Sequence, residues 1–322
     1  MSEPTVPSRL VELARQARVP RGLSDSGLRE RFGDPRDYEV DAGQVWRAAW
    51  GDVSLLVAVT QIEDADVGVI PLTLEPVSED DRCLVLAPSL TVFGVEATLW
   101  MDLASTLPLR VLDEIIDKWP EDVTRAIAAA ADYPTSVPGA GMRRGEPAET
   151  EFDYPASVRA EIEDDLVALR AAPALPTEVK DQEPVRTLAA VLGKGVDLPS
   201  LVTALSALDL DQPDVMNLLR GKRPMSPQVV DVVVAVTGID RDLVAESVQP
   251  LPHEFVIEVD HPRWRPVWQA RALRDGTDET TARLRASYEM FAVAARQTGS
   301  RKPDWSARLA QFRSFKDEQG TP

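Results

Sequence analysis

The sequence has few of the residues from which metal sites and redox centres are usually built. It contains one cysteine and two histidines, too few for an ordinary zinc site. The cysteine, Cys83, lies in the apolar run Cys83–Leu86 and is interpreted as a small core residue rather than a nucleophile. We therefore expect neither a metal nor a cofactor.

Long apolar runs are also missing. No stretch approaches the ~18 consecutive apolar residues that span a bilayer, and the N-terminus has no basic stretch leading into an apolar one, as a signal peptide would. These two absences predict a cytoplasmic protein that has no membrane partner.

Positive charge is scarce and unevenly distributed. The formal net charge is −18. Residues 37–184 hold 10 Lys/Arg and 30 Asp/Glu, a balance of −20, whereas residues 261–322 hold 12 and 7, a balance of +5. An acidic surface repels the phosphate backbone. The acidic half therefore predicts either a docking surface for a basic protein partner or simple solubility.

The sequence contains only partial matches to known catalytic motifs. Gly193-Lys-Gly195 lacks the upstream glycine and the following Ser/Thr of a phosphate loop, and His253-Glu254 is not followed by the second histidine of a zinc protease. The acidic pairs Asp80-Asp81 and Asp164-Asp165 have no further ligand candidates beside them and are interpreted as solvated surface. We expect no catalytic residues, and hence no enzyme.

The N-terminal half predicts a small antiparallel β-barrel preceded by helices. Helical spacing of apolar residues indicates helices within residues 1–36. Within residues 37–132, short apolar runs separated by Gly, Pro or polar residues are typical of a small barrel. Residues 109–118 and 126–131 are predicted to be helical.

The C-terminal half predicts helices throughout. Residues 133–155, rich in Pro and Gly, indicate a linker, and residues 156–184 a helix with a Pro-rich connector. A bundle of short helices is predicted over 185–249, and a basic helical tail over 250–322, with a strand at 254–259. The fold class is thus multidomain α+β: a barrel module followed by a helix-turn-helix-like bundle.

The bundle has well-defined helix boundaries in the sequence. Gly221 and Gly238 stand where a left-handed residue ends a helix. Ser226-Pro227 combines a capping side chain with proline in the first turn, which is typical of a helix start. Asp240 is placed to cap the next helix.

Residues 214–239 resemble the second half of Xre/Cro-type helix-turn-helix regulators. The matching features are a short helix that ends in Gly221-Lys-Arg-Pro224, a helix that starts with Ser226-Pro227, and a stop at Gly238-Ile239. The resemblance covers residues 198–248. It implies binding to duplex DNA, as a homodimer that reads paired half-sites.

Two registers of the motif are open. Either residues 211–220 form the recognition helix, or residues 226–236 enter the major groove; in both, the turn after Arg220 faces phosphate. Because Asp209, Asp211 and Asp214 would repel DNA in the first register, the second is preferred. The candidate DNA-binding residues of the two registers are Gln212, Asn217, Arg220, Lys222, Arg223, Ser226 and Gln228.

The tail interleaves tryptophan with arginine around Trp264 and Trp268. Such a pattern can bind nucleic acid through phosphate contacts and stacking. The auxiliary contacts predicted on this basis are Arg263, Arg265, Arg271 and Arg274. The favoured alternative is that the tryptophans pack on the helical domain while the arginines stay solvated.

Residues 41–118 resemble the PemK/MazF-type toxin barrel through Gly43-Gln-Val-Trp46, the apolar run 55–59 and Val69-Ile-Pro-Leu-Thr73. The resemblance implies RNA cleavage by an arginine and a hydroxyl residue, the latter at Thr73. The Arg-Pro pair that precedes the second strand in that family is missing here, so the main electrostatic stabilisation of the reaction is missing too. We expect a degenerate barrel.

The leading hypothesis is a DNA-binding transcriptional regulator. By analogy with the two resembled families it belongs to a toxin–antitoxin or phage-defence system. The predominance of arginine over lysine favours a GC-rich bacterial genome. The alternatives are a non-enzymatic adaptor with an acidic docking module, and a PemK/MazF-like endoribonuclease toxin.

Overall fold

The computed structural model describes residues 21–34, 37–74, 79–133, 138–147, 154–178, 187–193, 195, 197–208, 210–245, 247–297 and 304–317. The chain divides into two compact units, Met1–Ala172 and Pro173–Pro322. The first unit contains the sheet and the second is helical. Of the predicted N-terminal helices, α1 (Asp25–Phe32) is present, and residues before 21 lie outside the described part.

The first unit is built on an antiparallel sheet of eight strands. They are β1 (Gln44–Trp50), β2 (Val53–Glu63), β3 (Asp66–Thr73), β4 (Cys83–Leu86), β5 (Ala97–Trp100), β6 (Ser105–Pro108), β7 (Leu112–Lys118) and β8 (Met142–Arg144). The order is β7-β1-β2-β3-β5-β4-β8, with β6 pairing with another part of β3.

The prediction of a closed barrel is wrong. Closure would need β7 and β8 to pair, and no such pairing exists within the described residues. Strand-like runs predict antiparallel neighbours equally well in an open sheet and in a barrel, because closure depends on a contact between distant strands. The predicted linker 133–155 also contains β8, which pairs with β4.

The helix predicted over residues 109–118 is wrong as well. A short 3₁₀ turn, Leu109–Val111, leads into β7. The pairing of β7 with β1 shifts register twice, so its buried residues Leu112, Ile115 and Asp117 are spaced three and then two apart. A β-bulge of this kind inserts an extra residue and imitates the spacing of a helix.

Helices cover both faces of the sheet. Alternate residues of β1 point to opposite sides: Trp46 belongs to the core formed with α3 (Tyr154–Arg170), and Val45 to the core formed with α2 (Glu121–Asp132). The predictions of helix at 126–131 and after residue 156 are confirmed by α2 and α3. Burial on both faces explains why β4 is continuously apolar and buried along its whole length.

The second unit contains nine helices among its described residues. They are α4 (Leu188–Leu192), α5 (Leu198–Ser206), α6 (Gln212–Leu219), α7 (Pro227–Thr237), α8 (Arg241–Ala245), α9 (His253–Asp260), α10 (Arg265–Asp275), α11 (Glu279–Gln297) and α12 (Trp305–Asp317). The strand predicted at 254–259 is wrong, because this run lies in α9. A short apolar run does not by itself distinguish a strand from a buried helix.

Helices α4 to α8 surround one apolar core and α9 to α12 another. The helix ends predicted at Ser226, Gly238 and Asp240 are confirmed. Ser226 caps α7 by accepting a hydrogen bond from the Val229 amide at 3.3 Å, and Gly238 ends α7 in the left-handed conformation. Asp240 accepts from the Asp242 amide at the start of α8. None of the described helices combines the length and the apolar character needed to cross a membrane.

Candidate nucleic-acid interface

Helix α6 is anchored by one face and presents the other to solvent. Asp211 caps it, accepting a hydrogen bond from the Asp214 amide at 2.8 Å. The anchored face consists of Val215, Leu218 and Leu219, which are buried in the bundle core. The side chains on the opposite, exposed face include Gln212, Met216, Asn217 and Arg220. Three of these four carry the donors and acceptors that read base edges.

The turn after α6 depends on Gly221. This residue has φ of +67°, and a Cβ added to it would lie 2.9 Å from the Ser247 carbonyl oxygen. The Gly221 carbonyl in turn accepts a hydrogen bond from the Gln249 amide at 2.8 Å. Both the left-handed backbone and the close approach require glycine. The turn that carries Lys222 is therefore held against the segment that follows α8.

The charges around α6 are more favourable for DNA than the sequence alone indicates. Arg220 and Lys222 are exposed, and neither forms an ion pair with any described residue. Asp214 forms an ion pair with Arg223, and the Asp211 carboxylate is engaged as the helix cap. The third acid, Asp209, lies outside the described residues. Two of the three carboxylates that weighed against this register thus already have partners.

Helix α7, the recognition helix of the register preferred from the sequence, is less suited to the groove. Its Val229, Val230 and Val233 are buried in the bundle core, and the Ser226 hydroxyl is used as its cap. On its exposed side Gln228 accompanies Asp231, a carboxylate paired with Arg241. Helix α7 is therefore the less suitable of the two candidate recognition helices, and α6 is the more suitable.

Each of the four auxiliary arginines of the tail forms an ion pair with a carboxylate. Arg265, 5% exposed, pairs with Glu279, and Arg271, 9% exposed, pairs with Asp275 and Glu289. Arg263 pairs with Glu258 and the more exposed Arg274 with Asp275. Trp264 and Trp268 are buried, but in the core of the tail helices rather than on the helical bundle that the favoured alternative named. Of the four arginines only Arg274 is largely solvated, with its side chain 57% exposed. The ion pairs weigh against the predicted contacts with nucleic acid.

Sequence reasoning also missed a fully buried ion pair in the tail. Arg283 donates to Asp260 at 2.9 Å, and both side chains are 1% exposed. Arg283 also donates to the Pro173 carbonyl. The two partners lie on α11 and α9, so no local spacing pattern could have identified them.

In the first unit Thr73 is engaged within the fold. The Trp100 indole N–H donates to the Thr73 hydroxyl at 3.2 Å, and Arg159 of α3 lies over the Trp100 ring, 5.2 Å from its centroid. Arg159 is itself bound by the carboxylates of Asp80 and Asp102. This arginine is therefore neutralised, and Asp80, interpreted from the sequence as solvated, is half-buried.

The pKa values of Asp80 and Cys83, which lie beside Arg159, indicate a structural role for these residues rather than a catalytic one. Burial raises the pKa of Asp80, but hydrogen bonds from Arg159 and from the Arg82 amide outweigh it, so that the pKa lies below its usual value. Burial raises the pKa of Cys83 to about 12, so the thiol is protonated at neutral pH and unreactive. The interpretation of Cys83 as a core residue is confirmed, since its side chain is buried.

Across the described ranges, His, Cys, Asp and Glu side chains nowhere converge in groups of three or more that could hold a metal ion. No protein-family model and no curated protein matches this chain.

Proposed function

We propose that the second unit binds duplex DNA, with α6 as the helix that enters the major groove. The observation that carries the proposal is the exposed face of α6 and its following turn, which present the amides Gln212 and Asn217. The same surface carries the cations Arg220 and Lys222, which have no ion-pair partner among the described residues. Amide side chains recognise adenine and arginine recognises guanine through paired hydrogen bonds. Lysine binds phosphate as a point charge.

The support beneath α6 strengthens the proposal. Base reading requires side chains whose backbone is held in place, and sites on supported helices are more accurate than sites on loops. Leu218 fixes the helix to the bundle core, and Gly221 fixes the turn through its hydrogen bond with Gln249. In this arrangement Gln212 and Asn217 face the bases. Arg220 lies at the end of the base-reading surface, and Lys222 faces the phosphate backbone.

The regulatory role rests on the resemblance to Xre/Cro-type regulators. We propose a transcriptional regulator of a bacterial toxin–antitoxin or phage-defence system on that ground. Regulators of this type bind as homodimers, because two-fold symmetric half-sites match a two-fold symmetric protein.

The test is a fluorescence-anisotropy titration of the full chain against random-sequence duplex DNA at about 50 and about 200 mM salt, a range over which phosphate contacts weaken strongly. The double variant Arg220→Ala/Lys222→Ala should weaken binding at least about tenfold and lower the slope of log K against log salt by one to two, roughly one for each phosphate that the protein no longer neutralises.

The matched control is Arg241→Ala/Arg274→Ala, which removes the same charge from two exposed arginines of the same unit. It should change binding much less than the α6 pair does. Absence of binding by the wild-type chain at the lower salt would overturn the proposal, because nonspecific phosphate attraction is the minimum expected of a DNA-binding protein. Equal losses in the two double variants would show a general charge effect and overturn the assignment to α6.

A further inference from the structure

A cavity of about 270 Å³ lies between the segment that leads into α7 and the side of α11. Its apolar lining residues include Leu208 and Leu218, and its polar lining residues are Arg223, Ser226, Gln228 and Arg285. Among the described residues, no acidic side chain lines it. The volume is close to the lower end of small-molecule sites, roughly 300 Å³, so a ligand of this cavity is small.

Arg285 is the exception among the neighbouring arginines of the tail. Arg265, Arg271 and Arg283 are all held by carboxylates. Arg285 is exposed and forms no ion pair within the described part of the chain. A guanidinium that borders a cavity without a carboxylate is suited to an external anion, which it can bind through two parallel hydrogen bonds.

The other polar groups of the wall complement Arg285. Arg223 brings further guanidinium donors, although its charge is balanced by Asp214, which is not among the lining residues. Gln228, exposed at the start of α7, offers amide donors. The positive end of the α7 dipole adds to this field. The lining thus combines donors and the positive charge of Arg285 with aliphatic carbon.

The geometry points to a binding site for a phosphoryl group in this cavity, with Arg285 as its main ligand and Arg223 and Gln228 as additional donors. The group has two possible sources of the same chemistry. One is a small free phosphate compound, and the other is the backbone of bound DNA. The second source rests on the proposed function and the first does not.

The first arm of the test measures thermal unfolding of the full chain with increasing inorganic phosphate, against chloride at equal ionic strength. A ligand that binds only the folded state raises the unfolding midpoint with a saturable dependence on concentration. We expect this for the wild type and for the control Arg274→Met, with affinity lowered at least about tenfold in Arg285→Met because the substitution removes a charge-assisted hydrogen bond. Arg285 is exposed, so both variants should fold, and circular dichroism checks this.

The second arm measures DNA affinity of the same three proteins over a range of salt. If the phosphoryl group belongs to the DNA backbone, Arg285→Met lowers the salt slope by about one and Arg274→Met leaves it unchanged. Saturable phosphate binding that requires Arg285 supports the free source even if the chain ignores DNA. A slope change specific to Arg285 without phosphate saturation supports the backbone source.

The inference is overturned if Arg285→Met and Arg274→Met behave alike in both arms. Should the wild type bind DNA in that case, the proposed function stands while this site fails. Should the wild type ignore DNA and still bind phosphate through Arg285, the site stands while the proposed function fails.

Discussion

Two regions of the second unit differ in whether their arginine side chains are buried in ion pairs or exposed to solvent. In the tail, Arg265, Arg271 and Arg283 are buried and bound to carboxylates of other helices or turns. At the end of α6, Arg220 and the neighbouring Lys222 are exposed and have no ion-pair partner among the described residues. The tail is richer in arginine and tryptophan than the end of α6, a composition that can serve nucleic-acid binding. The structure shows that local richness in arginine does not indicate whether the side chains are accessible.

The largest expected difference between the two regions is in stability. Replacing Arg283 with Met removes one partner of a pair whose side chains are both 1% exposed. An uncompensated charge on Asp260 then stays buried, which costs about 3–5 kcal/mol of unfolding free energy. Urea unfolding of wild type and variant measures this. A loss below about 1 kcal/mol, as is usual for surface pairs, would show that Arg283 is as accessible to solvent as Arg220.

The turn that presents Lys222 gives the second prediction. Gly221 and Gly238 both have positive φ, but a Cβ at Gly221 meets the Ser247 carbonyl whereas a Cβ at Gly238 has no atom within 4 Å. Gly238→Ala should therefore cost only the conformational strain, about 1 kcal/mol. Gly221→Ala adds the repacking of the backbone contact, for a total of about 2–4 kcal/mol.

Chemical unfolding of the two alanine variants side by side provides the measurement. Equal losses would mean that the turn does not rest on the segment after α8. The accessible cations would then stand on a flexible connection, unlike the rigidly held arginines of the tail.

The features that could be predicted from the sequence are those that depend on neighbours along the chain. The cap at Ser226 is a contact across three residues, and the left-handed conformations at Gly221 and Gly238 are properties of single residues. Propensity and hydrogen-bond geometry determine such features locally. They located the helices of the bundle, and with them the segment that carries the candidate interface.

The features that could not be predicted join distant parts of the chain. Arg159 binds Asp102 and Asp80 across 57 and 79 residues, and Arg283 binds Asp260 on another helix. Whether the sheet closes depends in the same way on β7 and β8. Sequence periodicity reports which face of an element is apolar, but not which element lies opposite. The preferred recognition helix changed for this reason, since only the structure pairs Asp214 with Arg223.

The third prediction concerns the buried His261 of the tail and its effect on how stability depends on pH. Burial, reinforced by Arg263, lowers the pKa of His261 from 6.5 to about 4. As the pH falls, the imidazole of His261 is therefore protonated near pH 6.5 in the unfolded chain, but only near pH 4 in the folded chain. This contribution to stability is complete above pH 6.5 and is lost as the pH falls towards 4. Between pH 7 and pH 5 the loss should be about 2 kcal/mol.

Unfolding free energies of wild type and His261→Gln at pH 7 and pH 5 isolate this effect, because the carboxylates titrate in both proteins. The variant should lose about 2 kcal/mol less than the wild type between the two pH values. The same pH dependence in both proteins would show that the histidine is solvated, and would weaken the contrast between a buried tail and an exposed α6.

The smallest expected effect on stability comes from replacing the exposed cations Arg220 and Lys222. Arg220→Ala and Lys222→Ala remove side chains that contact solvent, so each should change the unfolding free energy by no more than about 0.5 kcal/mol. The same substitutions should reduce DNA affinity, whereas Arg283→Met lowers the stability and removes no accessible charge, because its side chain is 1% exposed. A loss of stability at Arg220 comparable with that at Arg283 would mean that this cation is held within the fold. An unchanged stability together with weakened DNA binding would identify α6 as a surface whose charges serve a ligand, because the fold gains nothing from them.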